Sequence, residues 1–584
     1  MKRSFVKALA VWVGLLGGGS GVECAQAQQL SDLWATNAAI YDGQGGSTYT
    51  DRAVGSVTAY VDFPVGAIPV TYAAARTWVL GTNGAVDHWA VVLNRYNYET
   101  GLLEAAGESG VGGGNSRVVY PAADGGRQYF VPVAIKVVHT TPDGGSDFGP
   151  ANYKIIVTGY APSTSGSRGP KTEFRTLWFN GNLDLEKMVS FFASVAAPVN
   201  APAVDQFPVG MDAETGGPGT NALIGVTGNV WNGSNWDIAT VFYDVLGREL
   251  NSNIQGTAGV ADMAAGISLG GSPLGAFVAG TLNANTIGNT IGGYWYTAQP
   301  YLTPWTAPKA LPLSVAGATL SANAVTARIS TGSQLGVVAG KMSGIDSSYM
   351  LLSKFEFVGA GSVNYTAFGP PADPGSGVIN ASANAVSIAT GLIVENDPHT
   401  LFAIAGSGWR GAAYGMDSLV CLFDDVGAPF HLRWSSWMNR DDTAHAMDDR
   451  CYSVAIDSVV MTTEIDKFYV YATGQVSNGT DLDWRATVYS SAAVIGQDPT
   501  DPAIKTPYDN STLGFSGNTP TPSPFSSDLV EVPISLVPSL NLEGGSAGPR
   551  YHNFVVTGNI YNGSTPVDYG ADQLTRRIRF FAPE

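Results

Sequence analysis

A short apolar strand that ends in glycine recurs along this chain, and the repeat restricts the folds that the chain can adopt. The copies end at Gly81, Gly159, Gly228, Gly280, Gly340, Gly406, Gly474 and Gly558. Another short apolar segment precedes most of them, at 133–135, 209–211, 267–269, 313–315, 386–388 and 454–456. Self-similarity at a spacing of tens of residues is typical of solenoids and propellers.

The turn that follows the repeated strand also recurs. Asn232-Gly233, Asn478-Gly479 and Asn562-Gly563 each begin four residues after the glycine that ends their strand. Asn-Gly between two β-prone segments predicts a hairpin with a type I′ turn, because both residues tolerate positive φ. Asp237 and Asp483 then precede alternating strands.

Each repeat supplies three clear strands and a weaker fourth, such as 362–368 or 430–434. Four-stranded antiparallel units in radial repetition form a β-propeller, which exposes only short sheet edges. The eight repeats therefore predict an all-β, eight-bladed β-propeller. Seven blades are the alternative if the units at 78–96 or around Gly280 are incomplete. The segment 33–41 is expected to pair within the last blade and close the ring.

The N-terminus has the features of a secretory signal peptide. Lys2, Arg3 and Lys7 precede the apolar run 8–16, and a small-x-small cleavage site follows at 25–27. The apolar run is too short for the roughly 20 residues that span a bilayer. We therefore expect a signal peptide at 1–27, a single propeller domain at 28–584, and a bacterial protein that is secreted or periplasmic. Pro-, Thr- and Ser-rich residues 497–527 are expected to form an exposed loop insertion.

The formal net charge of −18 argues against nucleic acid and anionic lipid as partners. Only 13% of residues are charged, and 72 are glycine, which is typical of many short strands joined by tight turns. A soluble monomer without a membrane span is expected. Cys421 and Cys451 form a disulfide in one interpretation and remain two buried thiols in the other.

Two motifs resemble catalytic signals but lie in the wrong context. Gly266–Gly270 matches the G-x-S-x-G pattern of serine hydrolases, which needs a turn from strand into helix. Gly406–Gly411 matches the G-x-G-x-x-G pattern of dinucleotide sites, which needs a helix N-terminus. Both fall on predicted strands, so neither indicates an active site.

Two other sets of residues are better ligand candidates. Carboxylates and one imidazole are concentrated in a loop that is either a Ca²⁺ site or a solvated acidic loop: Asp441, Asp442, His445, Asp448 and Asp449. Aromatic rings that can stack on sugars lie in or beside turns, together with one arginine: Trp231, Trp236, Trp409, Arg410, Trp434 and Trp437. Packing of these rings between sheets is the alternative.

The segments Val226–Val241 and Thr473–Gly479 resemble the secreted bacterial β-propeller repeat (SBBP-like) family, whose units read roughly V-T-G, N-G, D-Y-A-T-V, Y-D, G. The resemblance is weaker at 286–293 and 341–348, where the turn differs. It implies an exported all-β propeller. The family has no single activity that could be transferred to this chain.

These patterns favour an extracytoplasmic binding or scaffold propeller that recognises a polysaccharide or a surface partner. With many carboxylates near the aromatic residues, a neutral glycan is the expected ligand. The alternative is a polysaccharide lyase or glycoside hydrolase with a site at the axial pocket. A purely structural surface protein is the third hypothesis.

Overall fold

A computed structural model gives the structure of most of the chain. The residues that it describes are 30–32, 39–41, 52–63, 66–79, 88–97, 101–103, 116–119, 129–140, 153–163, 171–191, 204–214, 222–257, 259–270, 275–284, 288–297, 309–311, 317–330, 333–357, 362–369, 379–394, 397–411, 415–437, 449–460, 466–477, 482–492, 508–515, 535–539, 550–562 and 570–582. The predicted signal peptide lies outside them. The elements within them are strands, and no helix there is long and apolar enough to cross a lipid bilayer.

Two short strands, β1 (Leu30–Asp32) and β2 (Ala39–Tyr41), precede the sheets. The first sheet contains β3 (Arg52–Phe63), β4 (Gly66–Val79), β5 (His88–Asn97) and β6 (Ser116–Val119). The second sheet contains β7 (Val131–His139), β8 (Tyr153–Pro162), β9 (Thr172–Phe179) and β10 (Leu185–Phe191). The third sheet contains β11 (Gln206–Glu214), β12 (Leu223–Trp231), β13 (Trp236–Asp244) and β14 (Glu249–Gln255).

The next four sheets follow the same plan. The fourth sheet contains β15 (Met263–Gly270), β16 (Gly275–Leu282), β17 (Thr290–Thr297) and β18 (Lys309–Ala310). The fifth contains β19 (Thr319–Ser330), β20 (Ser333–Ser343), β21 (Ser348–Glu356) and β22 (Val363–Phe368). The sixth contains β23 (Ala381–Val394), β24 (Asp397–Gly411), β25 (Gly415–Asp424) and β26 (His431–Trp437). The seventh contains β27 (Arg450–Val460), β28 (Asp466–Ser477), β29 (Leu482–Ala492) and β30 (Tyr508–Phe515).

The eighth sheet joins both ends of the chain. It contains β31 (Ser535–Ser539), β32 (Arg550–Asn562) and β33 (Gly570–Ala582), and β1 and β2 both pair antiparallel with β33. The other seven sheets each have four strands in sequential order, so the all-β class and the four-stranded antiparallel units are confirmed. The fourth strand of the seventh sheet, β30, lies inside the predicted loop 497–527. β30 pairs with β29 through backbone hydrogen bonds, which do not require alternating apolar side chains. The composition of this segment therefore indicated a loop.

A β-bulge explains why glycine recurs. In six sheets the repeated glycine pairs with a first-strand residue at which the register shifts, as Gly228 pairs with Pro208. A Cβ on Gly228 would lie 2.5 Å from Pro208 Cα and even closer to the carbonyl oxygen of Phe207. The bulge pushes this backbone into the space that a side chain would occupy. In the first sheet the residue at the equivalent register shift is Ala75, whereas Gly81 lies outside the described residues. The Gly81 repeat was therefore misaligned.

Two sequence assignments in the fifth and third sheets also need correction. The first strand of the fifth sheet is β19, whereas the predicted segment 313–315 lies outside the described residues. The Asn232-Gly233 turn is not type I′, because only Gly233 has a positive φ. The loop has four residues, 232–235. The side-chain oxygen of Asn232 accepts the N–H groups of Ser234 and Asn235, which fixes this longer turn.

The apolar core lies between neighbouring sheets. Second and third strands such as β12 and β13 are buried on both faces, whereas the residues of the outer strand β14 are partly or fully exposed. Each cluster of buried side chains draws on two adjacent sheets. One cluster joins Ile156 and Trp178 of the second sheet to Val226 and Tyr243 of the third. The rings of Trp178 and Tyr243 meet edge to face, 5.4 Å apart. Contacts between sheets therefore provide most of the apolar burial.

The first strands lie side by side. β3 contacts β7, β7 contacts β11, β11 contacts β15, β15 contacts β19, β19 contacts β23, and β23 contacts β27. β27 then contacts β31, and β3 contacts both β31 and β32. Hydrogen bonds connect the bulges of adjacent sheets. Asn323 Nδ2 donates to the carbonyl of Ala383, and Asn384 Nδ2 donates to the carbonyl of Cys451. Each sheet thus contacts the next, and the first contacts the eighth.

The chain passes from each sheet to the next at one end of the sheet, which we call the crossover end. The turn between the second and third strands lies at the same end, as at Trp231–Trp236 in the third sheet. Buried aspartates connect neighbouring sheets at this end. Asp205 accepts the N–H groups of Lys171 and Thr172, while Asp262 accepts those of Thr257 and Asn283. Such backbone-bonded carboxylates fix the position of the crossover end.

Candidate functional site

An aromatic row occupies the crossover end of the third sheet. Trp231 and Trp236 are directly paired across the turn, and their rings meet edge to face at 5.4 Å. Phe207 of β11 also meets the Trp236 ring edge to face, at 5.3 Å. All three side chains are half-buried. The row Phe207–Trp236–Trp231 is therefore a fixed apolar surface at the edge of the core.

Polar side chains border this row. Asn232 binds the backbone of the turn through its oxygen, and its Nδ2 donates to Asp237 Oδ2 at 2.9 Å. Ser234 is exposed, and Asn235 is partly exposed. These hydroxyl and amide groups can exchange hydrogen bonds with a hydroxylated ligand. An apolar shelf with a polar border is a typical arrangement for recognition of a small polar molecule.

The charge beneath the row is negative. Asp237 is 9% exposed, and its Oδ1 has no hydrogen-bond partner in the structure. Burial raises the pKa of Asp237, the hydrogen bond from Asn232 lowers it, and the nearby Asp262 carboxylate raises it again. The described residues that the third sheet and its crossover to the fourth contribute to this end, 204–207, 229–238, 253–257 and 259–262, include no Lys or Arg, and the neighbouring cation is Lys171 of the second sheet, beside Asp205. An anionic ligand on the row would therefore meet carboxylates and no cation of the same sheet.

The sixth sheet carries a second aromatic surface at its crossover end. The guanidinium carbon of Arg410 lies 5.8 Å from the centre of the Trp437 ring, and Arg410 pairs with the buried Asp417 at 3.1 Å. Trp409 is half-buried, and its backbone N–H donates to Asn380 O. The fourth and fifth sheets separate this surface from the aromatic row.

Trp434 is not part of either surface. Its side chain is 2% exposed and packs on Tyr489 with the ring centres 5.2 Å apart. It lies in the core between the sixth and seventh sheets. This ring therefore packs between sheets, and it cannot stack on a ligand in this structure.

Most of the candidate metal ligands lie outside the described residues, namely Asp441, Asp442, His445 and Asp448. Asp449 is described: it is fully buried, and its N–H donates to Met416 O at 2.7 Å. Within the part of the chain that the structure describes, no group of three or more His, Cys, Asp or Glu is arranged to hold a metal ion. The Ca²⁺ site stays a prediction.

Of the two interpretations of the cysteines, the structure shows the buried thiols and no disulfide. Cys421 and Cys451 are both free and buried. Cys421 faces the core between the fifth and sixth sheets, whereas Cys451 belongs to the core between the sixth and seventh. The sixth sheet therefore stands between the two sulfur atoms. Burial raises the pKa of Cys451 to about 12, and it also raises the pKa of the Cys421 thiol.

A group of charged residues on the first strands was not predicted from the sequence. Lys136 of β7 pairs with Asp212 of β11, with Nζ and Oδ1 2.8 Å apart. The other oxygen of Asp212 accepts the N–H of Leu269 on β15 at 2.8 Å. Glu214 lies two residues further along β11, on the same face as Asp212. The Asp-Ala-Glu spacing was visible in the sequence, but the Lys136 partner comes from another sheet.

No protein-family model matches the sequence, and no curated protein is significantly similar to it. Solved structures give distant likenesses. A subtype N11 neuraminidase-like protein from a flat-faced bat H18N11 isolate is 10% identical with a TM-score of 0.30, over 63% of this chain and 90% of that one. The Aleuria aurantia lectin is 12% identical with a TM-score of 0.25, over 62% and 93%. The NanB sialidase of Streptococcus pneumoniae is 10% identical with a TM-score of 0.28, over 92% and 70%. At such TM-scores none of them bears on the function of this chain.

Proposed function

We propose that this protein is an exported, eight-bladed β-propeller that binds a neutral glycan through the aromatic row Phe207–Trp236–Trp231. The observation that carries the proposal is this row, half-exposed and held in place at the crossover end of the third sheet. Flat apolar rings can stack on the C–H faces of sugars, and the bordering amides and hydroxyls can bind sugar hydroxyls.

The order of contacts between sheets supports the ring. Each sheet lies against the next, and β3 lies against β31 and β32. Buried side chains also join the first and eighth sheets: Asn94 Nδ2 donates to Gln573 Oε1 at 2.7 Å, and Gln573 Nε2 donates to Ala74 O at 3.3 Å. The N-terminal strands β1 and β2 complete the blade formed by β31–β33. This arrangement would hold the ring closed, since an open ring would leave two unpaired edges.

The charge distribution favours an uncharged ligand. The carboxylates of Asp205, Asp237 and Asp262 lie at the crossover end of the third or fourth sheet, and Asp237 has an oxygen without a hydrogen bond. A uronate, sulfate or sialic acid would be repelled, whereas a neutral hexose polymer would not. Export by the predicted signal peptide would place the protein where such polymers occur.

The sixth-sheet surface of Trp409, Arg410 and Trp437 is a second contact for the same polymer. Arg410 is already neutralised by Asp417, so it adds hydrogen-bond donors without a net positive charge. Two separate aromatic surfaces on one rim would bind a long chain more tightly than a single sugar, because the second contact forms at high effective concentration. Affinity should therefore increase with glycan length.

A glycan array followed by calorimetry on the bound glycans tests the proposal. Trp231→Ala, Trp236→Ala and Trp409→Ala are compared with Leu250→Ala, which removes a 51% exposed side chain from the outer strand of the third sheet. An aromatic contact contributes about 0.5–1.5 kcal/mol, so each Trp variant should bind about 2- to 12-fold more weakly. Leu250→Ala should bind like the unaltered protein. Unchanged binding in both Trp231→Ala and Trp409→Ala would contradict the proposal, as would preferential binding of anionic glycans.

A further inference from the structure

Two carboxyl groups on the first strand of the third sheet have different environments. Asp212 and Glu214 share one face of β11, and their Cα atoms are about 6.6 Å apart at the usual rise of a strand. Their strand pairs only with β12, so its other edge faces the neighbouring first strands. Both side chains are half-buried. A ligand between the first strands would meet both groups.

Asp212 has a donor on each of its carboxyl oxygens. Oδ1 pairs with the Lys136 ammonium group and Oδ2 accepts the Leu269 N–H, both at 2.8 Å. The donors come from the second and fourth sheets, so the carboxyl group is fixed from two sides. Each carboxyl oxygen retains a lone pair for a further bond.

Glu214 has none of these donors. Within the described part of the chain the Glu214 side chain accepts no hydrogen bond and forms no ion pair, while its backbone belongs to the ladder with β12. Burial raises the pKa of Glu214, the Asp212 carboxylate raises it further, and Lys136 lowers it. The two neighbouring carboxyl groups therefore differ in their partners, since Asp212 is bound by two donors and the Glu214 side chain by none, and acid–base chemistry uses pairs of carboxyl groups in different environments.

We propose that Glu214 and Asp212 are the general acid and the ionised partner of a glycoside-cleaving site at the end of the first strands opposite the aromatic row. The proton of Glu214 would pass to the glycosidic oxygen as the C1–O bond breaks, and the electron pair of that bond would stay on this oxygen. Water would add to C1 and give its proton to Asp212, and exchange with solvent would then remove that proton and return one to Glu214. The sum is glycoside plus water giving a free sugar and an alcohol, with no oxidant or metal required.

The choice of an acetal bond follows from the residues. Cleaving a glycoside requires protonation of the leaving oxygen and a carboxylate near the cationic transition state, with the carboxyl groups roughly 5 to 9.5 Å apart. Asp212 and Glu214 supply both roles, and no cysteine lies on β11 or on its neighbours β7, β12 and β15.

The remaining charged groups near Glu214 are few. β7 contributes Lys136 and His139, and burial lowers the pKa of His139, which favours its neutral form. β12 and β15 carry no ionisable side chain. The charged residues of β8 and β9 are paired elsewhere, Lys154 with Glu186 and Glu173 with Arg175. The protonation of Glu214 is therefore governed by Asp212 and Lys136.

Hydrolysis of 4-nitrophenyl glycosides of neutral and acidic sugars between pH 4 and 8 tests this site. Glu214→Gln should reduce kcat/KM by about 10²- to 10⁴-fold without changing Tm, because the side chain makes no hydrogen bond that the variant would lose. Asp212→Asn should lower the rate as well, although it also alters the contact with Lys136. Thr326→Ala, on the first strand of the fifth sheet, is the matched control and should keep the rate.

The pH profile gives a second result. The active form has Glu214 protonated and Asp212 ionised, so kcat/KM should be bell-shaped, and Glu214→Gln should abolish its fall at high pH. Absence of hydrolysis by the unaltered protein on the whole panel would overturn the proposal, as would full activity in Glu214→Gln. Leu250→Ala, on the exposed outer strand of the third sheet, should keep the activity. Loss of glycan binding in Trp231→Ala and loss of cleavage in Glu214→Gln are measured in separate assays, so the two proposals can fail independently.

Discussion

Replacing Gly228 with alanine tests the argument that the repeated glycine is required by the bulge. A Cβ at this position would lie 2.5 Å from Pro208 Cα and 2.7 Å from Phe174 Cζ, with the carbonyl oxygen of Phe207 nearer still. Two of these three atoms belong to the backbone, and a backbone atom cannot rotate away as a side chain can. β11 would have to shift by about 1 Å at the bulge to restore an ordinary contact of about 3.5 Å.

The expected cost follows from these contacts. Overpacking of this kind costs about 1–3 kcal/mol, and the shift weakens one or two backbone hydrogen bonds at about 1 kcal/mol each. Alanine reduces the entropy of the unfolded chain, which offsets about 0.4–1 kcal/mol. The free energy of unfolding should therefore fall by about 1–4.5 kcal/mol. With an unfolding entropy of about 2.1 cal/mol/K per residue, a cooperative unit of 584 residues should lose about 1 to 4 °C in Tm.

Calorimetry of Gly228→Ala, Gly406→Ala and a control variant measures this effect. Gly344→Ala is the control, because its Cβ would meet only Ser347 O, at the ordinary distance of 3.6 Å. The control should change stability by no more than about 0.5 kcal/mol. If both bulge variants were as stable as Gly344→Ala, the steric explanation for the repeated glycine would be refuted.

Three further predictions concern ring closure, the thiols and a buried carboxyl. Gln573→Ala should destabilise the protein by about 1–3 kcal/mol, because it removes a buried hydrogen bond with Asn94. A double-mutant cycle with Asn94→Ala should give a coupling energy above about 0.5 kcal/mol, and additive effects would argue against this buried contact. Cys421 and Cys451 should resist a thiol reagent at pH 8 in the folded protein and react after unfolding without a reductant, whereas a peptide linking them in a non-reducing digest would contradict the structure. The folded-state pKa of Asp237 is raised, so this side chain contributes most to the free energy of unfolding at low pH, and that contribution is lost as pH rises through the folded-state pKa. Asp237→Asn should therefore be more stable than the unaltered protein at neutral pH and no more stable in acid. A larger gain in stability in acid would contradict the assigned direction.

Local patterns predicted much of the fold because they depend on neighbours along the chain. The alternation after Asp237 gave β13, and the weak apolar segment at 430–434 gave most of β26. The four-residue turn at Asn232 was missed, since its geometry depends on which N–H groups the asparagine side chain accepts. The glycine of the first sheet was misplaced because Ala75 occupies the equivalent position without the residue type that identified the others.

The candidate site was predicted only in part. Trp231 and Trp236 were identified because they flank a recognisable turn, and their pairing across it follows from hairpin geometry. Phe207 joins them from another strand, which no spacing in the sequence indicated. Trp434 and Trp437 lie on the same strand, β26, and their sequence neighbours do not distinguish them. Trp434 is buried because its side chain faces the seventh sheet.

The sequence by itself determined the all-β class, the repeated four-stranded unit and the negative charge, because strand period, turn residues and ionisable groups are local properties. Only the tertiary structure decided which side chains meet. Cys421 and Cys451 are kept apart by a sheet that stands between them, and Lys136 reaches Asp212 from the neighbouring sheet. The physical reason is that a strand presents alternate residues to opposite faces, so the partner of each side chain depends on which sheet packs against that face.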